Sequence, residues 1–131
     1  MNKGVAWALS IFIFSPSIAS FAQKQDDRWV FLYSFPNTEV FYDKRTFNSN
    51  RESAGGWVRQ VQSDGYKDIG LRVDCKGGSL IIFHQREYSP DGKLRNSSDR
   101  MEETIIVPGS GEEILRDRLC ALRPAWQKVF N

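Results

Sequence analysis

Two cysteines constrain this chain more than any other feature. Cys75 ends the strand-like segment 69–75, in which Ile69, Leu71 and Val73 share its face. Cys120 lies near the end of the one segment with a helical pattern. Two cysteines in an exported protein usually pair, so we predict a structural disulfide that holds this helix over the sheet. A metal pair, which would need further ligands, and a redox pair, which usually has C-x-x-C spacing, are the alternatives.

The N-terminus predicts export. Lys3 precedes an apolar run at 5–14, and Ser20-Phe21-Ala22 fits a small-x-small cleavage site. The run is shorter than the roughly 20 residues of a membrane span, although an N-terminal anchor or a buried helix is the other interpretation. We expect a signal peptide at 1–22 and a single domain at 23–131 with no membrane span. No cysteine lies near the cleavage site, so no lipid anchor is expected.

The near-neutral net charge argues against one class of partner. The chain has 18 basic and 16 acidic residues, and one of the basic residues, Lys3, would leave with the signal peptide. The remainder is close to neutral, which argues against nucleic acid as the main partner. A chain of this length is one domain with a thin core.

Alternating apolar and polar residues predict a sheet of about six strands. In the first, Trp29, Phe31 and Tyr33 share one face. The segment 47–56 has a loop composition, and SPDGK at 89–93 holds hairpin-turn residues between the fifth and sixth strands. The six segments are 28–33, 39–43, 56–63, 69–75, 79–88 and 100–107.

One C-terminal helix follows the strands. Ser110 and Glu113 have the spacing of a capping box, and Pro124 limits the helix. Cys120 projects about 100° from Leu119, which places it off the apolar stripe. The predicted fold class is therefore α+β, an antiparallel sheet with a C-terminal helix packed on one face and tethered by a disulfide. The apolar stripe consists of Ile114, Leu115, Leu119 and Leu122.

The order of several short motifs resembles the surface-adhesin protein E family, from about residue 28 to 120. The most telling is Pro108-Gly109-Ser110 followed by Cys120, paired with a mid-chain cysteine. The others are Trp29, Tyr42-Asp43, Trp57-Val58, Cys75, and Tyr88 with Asp91-Gly92.

This resemblance implies a fold and a kind of function. The fold would be an antiparallel sheet of about six strands whose C-terminal helix is tethered by a disulfide. The family is named for an outer-membrane adhesin, a dimer that binds host matrix and plasma proteins such as vitronectin and laminin. The resemblance therefore implies a non-enzymatic binding protein that can form a homodimer.

The sequence offers no catalytic, cofactor or metal motif, so we expect no enzyme activity and no cofactor. His84 is the only histidine, and we expect it to be structural because no acid or nucleophile pattern accompanies it. The candidate binding site is a basic hairpin, for which a solvated surface of mixed charge is the alternative. Its residues are Arg86, Tyr88, Lys93, Arg95 and Arg100.

Together these features predict an exported protein of the bacterial envelope, periplasmic or at the cell surface. Its expected partner is a protein or glycan of the envelope or host matrix, bound by the sheet surface or the basic hairpin. The alternative function is a periplasmic structural or stress-related protein that associates with an envelope complex.

Overall fold

The computed structural model describes residues 27–129, so the predicted signal peptide lies outside the described residues. The described chain forms eight strands and two helices. The strands are β1 Trp29–Phe35, β2 Thr38–Asp43, β3 Asn48–Ser49, β4 Ser53–Gln62, β5 Gly65–Asp74, β6 Ser79–Tyr88, β7 Leu94–Ser98 and β8 Glu102–Ile105. The helices are α1 Gly111–Ala121 and α2 Ala125–Val129.

All the strands join one antiparallel sheet. The main path is β1-β2-β4-β5-β6-β7, and the short strands β3 and β8 pair with β4 and β6 respectively. Helix α1 packs against β4 and β5 on one side of this sheet. The predicted fold class is confirmed, since six strands form the main path and the C-terminal helix covers one face.

The core lies between α1 and the strands beneath it. Val58 in β4 and Val73 in β5 are almost fully buried, and Leu119 in α1 is buried with them. These side chains alternate with more exposed ones along each strand, which is the period that brings one face into a core. Burial of apolar surface at about 25 cal/mol per Å² is the main force that holds the helix down.

The helix begins as the sequence predicts. Ser110 is the N-cap, and its Oγ accepts a hydrogen bond from the Glu113 amide at 3.4 Å. The Glu113 carboxylate reaches one residue further back than a capping box requires and accepts from the Gly109 amide at 2.8 Å. The predicted termination also holds, because α2 starts immediately after Pro124.

The disulfide between Cys75 and Cys120 is confirmed, with Sγ atoms 1.99 Å and Cα atoms 5.8 Å apart. The prediction that Cys120 lies off the buried stripe was wrong. Cys120 is buried together with Leu115 and Leu119, whereas Leu122 is 37% exposed. The helix is rotated so that its cysteine side faces the sheet, since Cys75 projects from the face that α1 covers.

A buried arginine fastens the end of α1. The guanidinium of Arg123 donates to the Cys120 carbonyl at 3.0 Å and to the Arg51 carbonyl at 2.7 Å. The last carbonyls of a helix lack partners within the helix, so this side chain satisfies one of them. The same contact joins the helix end to the loop before β4.

The predicted turn at 89–93 is present, but the strand that follows it is not the predicted one. The Ser89 amide bonds to the Lys93 carbonyl at 2.9 Å, and the chain returns at once as β7. The predicted strand at 100–107 is instead β8, which pairs with the first half of β6. The predicted loop at 47–56 likewise contains β3 and the start of β4.

Of the three register shifts in the sheet, those in β1 and β6 decide which side chains share a face. Leu32 is an extra residue in β1, so Trp29 and Phe31 point to one side and Tyr33 to the other. This corrects the predicted single face for the three aromatic residues. Phe83 is an extra residue in β6, where the pairing of Gly70 with His84 is followed by that of Leu71 with Ile82. A bulge re-aims every side chain beyond it.

Candidate functional site

The side of the sheet opposite α1 carries most of the polar and aromatic side chains of the central strands. Its rows follow from the register, in which Trp57 faces Gly70 and Gly70 faces His84. The next row joins Arg59, Asp68 and Arg86 in the same way. We call this side the helix-free face and define it by Trp29, Phe31, Trp57, Arg59, Tyr66, Asp68, Arg72, His84, Arg86 and Tyr88.

Arg59 is the centre of one cluster on this face. Its guanidinium forms a bidentate ion pair with the Asp68 carboxylate, with N–O distances of 2.7 and 2.9 Å. The same group lies 4.3 Å from the ring centre of Trp29 and 4.5 Å from that of Tyr66. Tyr66 in turn stacks on Tyr88 with ring centres 4.8 Å apart. An arginine held by a carboxylate and two aromatic faces is fixed before any partner arrives.

The electrostatics of Arg59 follow from these contacts. Burial by itself would lower the pKa of Arg59, because it disfavours the charged guanidinium. The hydrogen bonds and the charge of Asp68 outweigh burial, so the pKa of Arg59 is raised. The guanidinium therefore stays charged and acts as a fixed cation within the aromatic row.

A second cluster is built across a glycine. The rings of Trp57 and His84 approach over Gly70 with centres 5.6 Å apart and planes 17° from parallel. A Cβ on Gly70 would lie 3.1 Å from the His84 ring, so the missing side chain gives the imidazole its place. A glycine inside a strand often marks such a close approach.

The imidazole of His84 is held from its other side. Its Nδ1 lies 2.9 Å from Oδ1 of Asp99, and Nη1 of Arg86 lies at the same distance from that oxygen. The hydrogen bond with His84, followed by that from Arg86, lowers the pKa of Asp99. His84 thus has an acidic partner, Asp99, that the sequence pattern did not indicate, and it is also part of the helix-free face. Its structural role stays a prediction.

A depression of about 240 Å³ adjoins Trp57 and His84. Its polar end is formed by Arg72, whose Nε donates to Ser53 Oγ at 2.8 Å. Its Nη1 donates to Asn48 Oδ1 at 2.7 Å. Both partners are neutral, so they orient the guanidinium without neutralising it.

Exposed apolar residues lie toward the margins of the helix-free face. Phe31 in β1 is 53% exposed and meets Phe41 edge to face at 5.8 Å. At the opposite edge Ile105 in β8, which pairs with Ser79, is 77% exposed. Apolar area of this kind, distributed among arginines and aromatic rings, is the composition found at the centres of protein interfaces.

The basic hairpin predicted as a binding site does not form one cluster. Arg86 and Tyr88 belong to the helix-free face, where Arg86 pairs with Asp99. Arg95 joins the hairpin to the turn between β4 and β5, because its Nη2 donates to the Tyr88 carbonyl at 2.9 Å and to the Asp64 carbonyl at 2.6 Å. Lys93 at the turn is exposed.

Arg100 lies between β7 and β8 and is also exposed, away from the turn. The structure therefore places Arg86 and Tyr88 on the helix-free face and uses Arg95 to join the hairpin to the neighbouring turn. Lys93 and Arg100 are left separate from these residues. The binding role of these five residues stays a prediction.

Several residues of the helix-free face were missed from the sequence. The strict alternation in β4 places Trp57 and Arg59 on the face opposite the buried Val58. This alternation in the sequence indicates a face with aromatic and basic side chains. Asn48 could not be found in this way, because its segment reads as a loop. Its contact with Arg72 depends on the pairing of β3 with β4.

Within residues 27–129, no three His, Cys, Asp or Glu side chains are arranged to hold a metal ion. Within the same range, no helix is long and apolar enough to cross a membrane. No protein-family model, curated protein or solved structure matches this chain. The fold and the site define a small α+β protein that has a disulfide-tethered helix on one face and an aromatic, arginine-bearing surface on the other.

Proposed function

We propose that the protein is an exported, non-enzymatic binding module of the bacterial envelope that holds its partner on the helix-free face. The observation that supports this proposal most strongly is the surface of aromatic and arginine side chains on the side of the sheet opposite α1. A protein or a glycan is the proposed partner. The resemblance to the surface-adhesin protein E family supports the same kind of function.

The chemistry of the face suits binding. Aromatic and arginine side chains are enriched among the residues that contribute most to interface affinity, since each combines a large apolar area with a polar group. Trp29, Trp57 and Tyr66 meet this description, and none of them is fully buried. A partner that covers them would remove apolar area from water and surround the fixed charge of Arg59.

Binding is also favoured because side chains of the helix-free face are already held in place in the folded protein. Immobilising a flexible side chain on association costs roughly 0.5–1.5 kcal/mol. Arg59 is already fixed by Asp68 and two rings, and His84 by Asp99 and Trp57. Most of that cost is therefore met during folding, and the face can bind without rearranging.

Site-specific photo-crosslinking tests the proposal in cells that make the full chain. A photoreactive phenylalanine analogue at Phe31 or Ile105 samples the two margins of the helix-free face. The same analogue at Trp126, which is 60% exposed in α2, or at Leu122 is the matched control. We expect adducts from the first two positions and none of the same mass from the controls.

Equal crosslinking from all four positions, or adducts from the controls alone, would refute the helix-free face as the binding surface. Adducts of twice the chain's mass would identify a second copy as the partner. Protease treatment of intact cells distinguishes the two compartments, because a surface protein is cleaved and a periplasmic one is protected. Protection together with an envelope-complex adduct would favour the periplasmic structural alternative.

A further inference from the structure

Arg72 differs from the other two arginines at the centre of the helix-free face. Arg59 pairs with Asp68 and Arg86 with Asp99, so each of those cations has a carboxylate. Arg72 bonds only to the hydroxyl of Ser53 and the amide oxygen of Asn48. Among the described residues it has no carboxylate within ion-pair distance, and one terminal nitrogen of its guanidinium has no hydrogen-bond partner.

This charge lies at one end of the depression described above. The depression is lined by Gly70 and by the stacked rings of Trp57 and His84, and Asn48 lies beside Arg72. Its volume of about 240 Å³ is below the roughly 300–1,000 Å³ of pockets that enclose drug-sized ligands. The space therefore fits one ring-sized group with a charged substituent.

We infer that this depression binds an acidic sugar residue, with the sugar ring against Trp57 and its carboxylate on Arg72. The inference rests on the proposed function, since it names the ligand class for part of the helix-free face. The C–H face of a pyranose ring is apolar and weakly positive, which matches the negative face of an indole. A guanidinium presents parallel N–H donors that match the two oxygens of a carboxylate.

The surrounding charges fix the orientation of the ligand. At the His84 end the Asp99 carboxylate, 2.9 Å from the imidazole, is already paired with Arg86, so that end offers no unpaired cation for an anion. The acid group of the sugar is therefore placed at the Arg72 end. Asn48 accepts from Arg72 through its oxygen and donates one amide hydrogen to the Thr46 carbonyl at 3.3 Å, which leaves its second amide hydrogen for a neighbouring hydroxyl.

An acidic peptide is the competing occupant, and the shape of the site argues against it. A glutamate side chain would satisfy Arg72 but would leave the aromatic part of the depression unfilled. A pyranose acid uses both parts at once. The two are separated experimentally by a peptide arm in the binding measurement.

The test uses the oxidised protein and defined probes. The methyl glycosides of glucuronic acid and N-acetylneuraminic acid are titrated by NMR, with methyl glucoside as the neutral counterpart and a short oligoglutamate as the peptide arm. We expect both acidic sugars to shift the Trp57 indole signal in a saturable way. The neutral sugar and the peptide should leave that signal in place.

Two variants remove the free charge by different routes. Arg72→Gln deletes the guanidinium, and Asn48→Asp supplies a carboxylate partner while Arg72 stays in place. Loss of a charge-assisted hydrogen bond should weaken acidic-sugar binding roughly tenfold or more in each. Lys128→Gln has the same charge change as Arg72→Gln, is exposed in α2, and should bind like wild type.

Three results would overturn the inference. They are equal shifts with methyl glucoside, an equal loss of binding in Lys128→Gln, and a saturable response to oligoglutamate alone. Normal melting temperature and aromatic circular dichroism of the variants show that they fold. If the sugars fail while crosslinks from Phe31 and Ile105 persist, the ligand class is wrong and the proposed function stands.

Discussion

Removal of the disulfide should show how much of the fold depends on it. The perturbation is the double variant Cys75→Ala with Cys120→Ala, which avoids leaving one unpaired thiol next to the core. The bond closes a loop with a sequence separation of 45. In the chain-entropy model, opening a loop of that size returns about 4 kcal/mol of conformational freedom to the unfolded state.

That loss is large for a domain whose core lies between one sheet and α1. Single domains have unfolding free energies of about 5–15 kcal/mol, so the variant would keep only a fraction of its stability. A change of this size lowers the melting temperature of a domain near 100 residues by roughly 15 °C or more. Helix α1 should be affected first, because the disulfide ties it to the end of β5 and its other contacts with the sheet are noncovalent.

Thermal melting by circular dichroism and hydrogen exchange of the α1 amides are the assays. Leu122→Ala is the matched control, since it changes an exposed position next to α1 and should lower the melting temperature little. Wild type under reducing conditions should melt like the double alanine variant. A fall of less than about 4 °C, which corresponds to roughly 1 kcal/mol, would refute the entropic reasoning.

Three further predictions concern charged and titrating groups. Arg59→Met leaves the Asp68 carboxylate unpaired and should cost about 2–3 kcal/mol by chemical unfolding, most of which adding Asp68→Leu should restore. Burial, followed by the charge of a nearby glutamate, raises the pKa of Tyr33 to about 12 from 10.0. Its contribution to stability is therefore complete below pH 10.0 and is lost as the pH rises toward 12, and melting curves of Tyr33→Phe should lack this decline. Replacing His84 by Phe removes the first cause of the lowered pKa of Asp99, so an NMR titration should show that pKa rising toward 3.8.

Each of these has a contrary outcome. Unchanged stability in Arg59→Met would mean that Asp68 is solvated well enough without its cation. A tyrosine titration in which every phenol ionises near pH 10 would remove the basis for the Tyr33 prediction. An unchanged Asp99 titration in the His84 variant would assign the lowered pKa to Arg86 alone.

The disulfide and the position of the helix could be predicted because successive side chains of a strand point to opposite faces of the sheet. Ile69, Leu71 and Val73 alternate with polar residues, so the face of Cys75 follows from counting. The rotation of α1 could not be predicted from its apolar stripe. The bond to Cys75 turns Cys120 inward, and Leu122 is left exposed as the C-cap.

The sequence could not show which side chains of β1 and β6 share a face, because each strand contains a bulge. Leu32 and Phe83 are apolar residues within apolar runs, so nothing in the alternation marks either one as the extra residue. The bulge at Phe83 places His84 on the face opposite the partly buried Ile82. The candidate site was therefore predicted only in part, through Arg86 and Tyr88, while the contact between Asn48 and Arg72 depends on tertiary pairing.

The central claim is that the partner binds the helix-free face, and the tryptophan indole N–H signals test it most directly. Trp29 and Trp57 lie on that face, whereas Trp126 lies in α2 beside the loop at 50–52. In an NMR titration with the crosslinked partner once purified, we predict that the Trp29 and Trp57 signals shift or broaden and that the Trp126 signal stays fixed. A response confined to Trp126, with the other two unchanged at saturation, would contradict the account.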